Sequence, residues 1–165
     1  MTSQTITIAS QKMPVIRPIQ FKIYTNIALQ LFQGSWKPGK LGLLQCAHYL
    51  KEINRAAKSG HAEAVLYLKQ IEEQMKQLHE KLNGIEQNFQ FKLDDLRSFL
   101  FEMQATPIHV APCHFSNTLC FCITRLIEQI DYLVRQYAIL KRFQCLEQDT
   151  STPQQWMSEM QHLFM

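Results

Sequence analysis

The sequence predicts a mainly α fold with a short N-terminal β-strand. Two observations carry that reading. Residues Ile19 to Tyr24 alternate strictly, with Ile19, Phe21 and Ile23 apolar and Gln20, Lys22 and Tyr24 polar or amphipathic, which is the period of a strand. Beyond Thr25, apolar residues recur mainly at three- and four-residue steps, which is the period of a helix face.

Thr25 suits an N-cap, because its hydroxyl can accept from the free amides of a first helical turn. Ile27, Ala28, Leu31 and Phe32 then give a short helix, stopped by Gly34. Ser35 to Gly39 makes a turn. A second helix begins near Gly39, with Leu43, Ala47, Leu50 and Ala57 on one face and Leu44 and Ile53 beside it. Lys58–Ser59–Gly60 breaks it. Strand, short helix, turn and longer helix suggest a ribbon-helix-helix-like unit over residues 15–58. A lone strand has no local partner, so it is expected to pair with its twin in a second chain. An ordinary edge strand beside two core helices is the plainer alternative.

Residues 61–165 read as a helical bundle, continuous with the first part as a single mostly helical domain over 15–165. One helix runs from about His61 to Leu82, with Val65, Leu68, Ile71, Met75, Leu78 and Leu82 in a stripe. Asn83–Gly84 is expected to end it. Residues 85–92 are ambiguous, and Asp94 to Met103 reads as a short helix. Pro107 to Phe115 looks extended, with Ile108 and Val110 alternating against His109. Ser116 caps the longest helix, to about Leu146. Its residues Leu119, Ile123, Leu126, Ile130, Leu133, Tyr137 and Leu140 keep a heptad rhythm, as in a core rod or an oligomer seam. Thr152–Pro153 starts a final helix carrying Trp156, Met160 and Leu163. Residues 1–14 read as a flexible N-terminal arm.

Of 165 residues, 46% are apolar, enough for a real core rather than disorder. No apolar run approaches the roughly 18 residues of a membrane span, and no signal peptide is visible. Five cysteines in no regular framework fit a reduced, cytoplasmic protein. Charge is unevenly spread. Residues 1–58 hold eight Lys/Arg and one acid, Glu52, a balance of +7; the rest hold nine Lys/Arg and thirteen acids, a balance of −4. A basic first third suits a polyanion-binding face.

Chemistry has little to work with. His109, Cys113, His114, Cys120 and Cys122 lack the spacing of a zinc site. Asp94 and Asp95, and likewise Cys46 and His48, diverge on their helices. There is no phosphate loop, dinucleotide turn or nucleophile elbow. The expectation is a non-enzyme without cofactor or metal.

If the strand reads DNA, Gln20, Lys22 and Tyr24 face outward as base readers, since glutamine pairs with adenine, lysine donates to guanine and tyrosine donates or stacks. Arg17 and Asn26 flank them as phosphate contacts. The helix start near Gly39, flanked by Lys37 and Lys40, is expected to hold a phosphate; an exposed helix start with two surface lysines is the plainer alternative. The segment around His109 to Ser116 competes as the ribbon, although it has no Lys or Arg, and the prolines of the 107–115 stretch, Pro107 and Pro112, suit a central strand poorly.

Phe21-x-Ile23-Tyr24-Thr25-x-x-Ala28-x-x-Leu31-Phe32-x-Gly34 resembles a signature of the integrating-conjugative-element proteins that include the AcaB-type activators of conjugative plasmids. The similarity continues through Gly42-Leu43, Ala47, Leu50, Ile53, Leu68 and Ile71-Glu72. It resumes at Val110-x-Pro112-x-x-Phe115 and Ile130-Asp131-Tyr132-Leu133. Where that family carries Asp-Pro-Tyr-Ala-Asp, this chain has Ser59-Gly60-His61-Ala62-Glu63. The resemblance implies a protein of a bacterial mobile element and a ribbon-helix-helix-like transcriptional activator of transfer genes. Its expected partners are double-stranded DNA and itself, as dimer or tetramer, with no membrane. A helical interaction protein of the conjugation apparatus, without DNA contact, is the alternative.

Overall fold

The computed structural model describes residues 19–35, 41–96, 106–113 and 118–164. Strand β1 (Ile19–Ile23) leads into α1 (Asn26–Gln33), α2 (Leu43–Lys58) and the long α3 (Ala62–Asp94). Strand β2 (His109–Cys113), α4 (Thr118–Arg142) and α5 (Pro153–Gln161) follow, with a closing 3-10 turn at His162–Phe164. The arm at 1–14 and the expected cap Ser116 lie outside the described residues.

The two strands pair with each other. β1 runs antiparallel to β2, with Phe21 opposite Ala111, Lys22 opposite Val110 and Gln20 opposite Pro112. This corrects the expectation of an unpartnered strand that seeks a twin. The two stretches weighed as rival ribbons are the two halves of one. Pro112 is accommodated because each strand of a two-stranded ribbon keeps an unpaired edge. The expected twin-paired ribbon-helix-helix unit thus gives way to a ribbon formed within the chain.

Alternation sorts β1 as expected: Phe21 and Ile23 are buried, Gln20 and Lys22 exposed. Thr25 caps α1, its hydroxyl oxygen accepting from the Ala28 N–H at 3.3 Å. Ala28, Leu31 and Phe32 turn inward, and Phe32 meets the Phe21 ring edge-on at 5.0 Å. Gly34 closes α1 at φ 77°, a backbone region that favours glycine. The next helix starts at Leu43 rather than near Gly39. Gly42 takes its cap position, and the Gly42 N–H donates to Gln45 Oε1 at 2.9 Å. Gly34 and Gly42 lie against each other so closely that a Cβ on either would collide; that approach fixes the α1–α2 corner.

Helix α3 corrects a second expectation. It passes through Asn83–Gly84 unbroken for 33 residues. One glycine costs a helix only about 1 kcal/mol. Against that, Ile85, Phe89 and Leu93 prolong the apolar stripe of Leu78 and Leu82, and Phe89 and Leu93 are buried. Phe89, Tyr137 and Trp156 form an aromatic cluster, with ring centroids 5.9–6.4 Å apart. The expected helix 94–103 has only its first residues described. Asp94 ends α3, Asp95 and Leu96 form a turn, and 97–105 lie outside the described residues.

Every heptad residue of α4 is buried within the chain, Tyr137 half so. The stripe therefore serves this chain's own core, and α4 is its central rod, touching β1, α1, α2, α3 and α5. Thr152 caps α5 as expected, with Pro153 in its first turn and Trp156 and Met160 buried.

Candidate nucleic-acid interface

The ribbon places its residues on two faces. Phe21, Ile23 and Ala111 point into the core. Gln20, Lys22, Val110 and Pro112 point out, in directly opposed pairs. Ile108, one step before β2, donates its N–H to the Ile23 carbonyl at 2.8 Å and is also exposed. Val110 is 45% exposed and Ile108 52%. Residues 106–113 contain no charged side chain, so Lys22 is the charge of this face between 19 and 23 and 106 and 113.

Tyr24 departs from the outward role expected of it. Its ring is half-buried, with the Arg135 guanidinium 4.1 Å from the centroid; the same guanidinium lies 5.5 Å from Tyr132. The Tyr24 N–H donates to Asp131 Oδ2 at 2.9 Å, and the Thr25 hydroxyl donates to Asp131 Oδ1 at 2.7 Å. Asp131 is buried, and burial holds its carboxyl above the usual range against the pull of those hydrogen bonds and of Arg135. A carboxylate from the middle of α4 thus locks the strand-to-helix junction and orients the ribbon on the body. Tyr24 and Arg135 finish that joint, so Tyr24 presents less to solvent than Gln20 or Lys22.

Asn26 is exposed in the first turn of α1. Arg17, Lys37, Gly39 and Lys40 lie outside the described residues. Sequence reasoning missed Arg135 and Val110 as neighbours of the β1 face. Alternation at Ile108 and Val110 was a signal for the second strand; nothing in the local pattern marked Arg135.

A groove of about 940 Å³ runs between α3 and α4, with the end of α2 at its rim. Lys76, Arg125, Glu72 and Glu128 line it, and burial raises the Glu128 carboxyl above its usual range. In its lining the Gln129 amide donates to Asn83 Oδ1 at 2.7 Å and Glu86 Oε2 at 3.1 Å. Cys46 and Cys120 are buried and Cys122 exposed, all three as free thiols. Among the described residues no group of three His, Cys, Asp or Glu side chains gathers as a metal site. No helix among the described residues is long and apolar enough to cross a membrane.

Fold and site together define a mainly helical protein that carries a two-stranded antiparallel ribbon with one exposed face. The chain belongs to the AcaB family of transcriptional regulators: the family model described as transcriptional regulator AcaB matches residues 14–164. No curated protein and no solved structure matches it.

Proposed function

We propose that this protein is a DNA-binding transcriptional regulator, an activator of conjugative-transfer genes on a bacterial mobile element, and that it reads the major groove with the outer face of its β1–β2 ribbon. The observation that carries this reading is the outward face of residues 19–23 and 106–113, which hold no acidic residue, with Gln20 and Lys22 exposed side by side on β1. A two-stranded ribbon fits the major groove, where glutamine matches adenine and lysine matches guanine. The basic balance of residues 1–58 supplies attraction to the phosphates. Membership of a transcriptional regulator family supports the same conclusion.

The test is a mobility shift with the full chain on promoter DNA of its own element, at stated salt, beside random DNA. Gln20→Ala and Lys22→Ala each remove about 1–3 kcal/mol of discrimination, and affinity for random DNA falls less. Equal loss on both DNAs reduces these side chains to phosphate contacts. No loss on either removes the ribbon from the interface. The second reading, a helical interaction protein of the conjugation apparatus, is favoured by the α3–α4 groove and requires no shift of any DNA.

A further inference from the structure

The two strands of the ribbon are chemically unlike, and that difference has a use in a DNA groove. β1 offers hydrogen-bonding side chains, Gln20 and Lys22. Directly opposite them β2 offers Pro112 and Val110, with Ile108 continuing the same apolar row. Ile108 and Val110 form a short aliphatic row about half exposed beside an amine, and covering that area with an apolar group is favourable. In the major groove the apolar group available is the C5-methyl of thymine.

We infer that Ile108 and Val110 are specificity residues that contact thymine methyls, while β1 reads hydrogen-bonding edges beside them. This rests on the DNA reading proposed above. The spacing is favourable. Same-face residues along a strand repeat every ~6.7 Å, more than the ~3.4 Å axial rise of one base step. Ile108 and Val110 are therefore far enough apart to meet methyls on different base pairs when the ribbon lies along the groove. Charge argues for nucleic acid as the occupant of this face, since Lys22 stands in its middle with no acidic residue in 19–35 or 106–113. A second copy stacked on the same face would set Lys22 among apolar groups without a counter-charge.

The experiment begins with a duplex selected by the full-length protein from a random library. Thymines are then replaced by deoxyuridine one at a time, which deletes the methyl and keeps the pairing edge. Binding weakens roughly fourfold at each contacted thymine, the factor that one lost methyl contact of hydrocarbon size gives, and the sensitive positions lie on different base pairs. Val110→Ser weakens binding to the thymine duplex and abolishes sensitivity at one position; Ile108→Ser abolishes it at the other. The salt slope stays as it was, and circular dichroism melting confirms that each variant is folded. Equal binding of thymine and uracil duplexes overturns the inference while the Gln20 and Lys22 effects keep the DNA reading intact. Uracil sensitivity that survives Val110→Ser and Ile108→Ser also overturns it. So does a loss of self-association in these variants without altered uracil sensitivity, which assigns the face to contacts between copies. A chain that shifts no DNA overturns both readings.

Discussion

The Asp131 carboxylate joins residues 107 and 106 positions apart in sequence, Tyr24 and Thr25. Thr25 was legible as a cap from its place before an apolar run. Its second partner was not, because nothing local reports a contact across so much chain. Asp131→Ala strands two donors, at a cost of at most about 1–3 kcal/mol each, and loosens the ribbon on the body. Asp131→Asn is milder, since its amide can still accept from Tyr24 and donate to the Thr25 oxygen. The pH dependence separates charge from shape. Burial raises the folded-state pKa above the ordinary 3.8, so the folded protein holds this proton more tightly than the unfolded chain does. Its contribution to stability therefore falls as pH rises from 3.8 through the raised value. Urea unfolding of both proteins over that window and up to neutral pH checks this. The wild type loses stability relative to Asp131→Asn as pH rises, and parallel curves refute the assignment.

At the scale of elements, most boundaries followed from punctuation, and the failures are instructive. Gly60 does break the chain, at φ 90°, where a side chain is disfavoured. Gly84 looks the same in sequence, yet it lies inside α3. The difference is downstream: Phe89 packs on Tyr137 of α4 and Trp156 of α5, and Ile85 and Leu93 join the same core, which a local reading of Asn83–Gly84 cannot weigh. A Cβ at Gly84 meets nothing within 4 Å. Gly84→Ala therefore stabilises the protein by about 0.5–1 kcal/mol, read as a higher urea midpoint at unchanged slope. A lower midpoint means that the helix is interrupted there. The strands show a complementary limit. Alternation identified both β1 and the extended stretch at β2, but alternation says which face is buried, not which strand lies alongside. The ribbon was legible as two pieces and illegible as one.

For the molecule as a whole, β1 has a partner in its own chain and the heptad stripe packs into the chain's own core, so neither feature by itself calls for a second copy. What remains visible from sequence alone is the charge division, +7 in residues 1–58 against −4 in the remainder. On a DNA-binding protein this division sets orientation: the basic third approaches the phosphates and the acidic remainder is repelled. Lys37 and Lys40 test it, because they belong to the basic third but not to the ribbon. Helix α2, the next helix after them in sequence, starts at Leu43, and the Gly42 N–H is already committed to Gln45. Any phosphate held here therefore depends chiefly on the two lysines and on the amides of the first turn. Each phosphate contact contributes about 0.9 to the slope of log K against log salt on duplex DNA. Lys37→Ala with Lys40→Ala is expected to flatten that slope by up to roughly twice this amount, and to weaken promoter and random DNA alike, since phosphates carry no sequence. Gln20→Ala is expected to do the reverse, lowering discrimination and leaving the slope unchanged. Fluorescence anisotropy across a salt series on both DNAs separates the two patterns. An unchanged slope in the double lysine variant removes Lys37 and Lys40 from the interface, and a selective loss on promoter DNA makes them base readers instead.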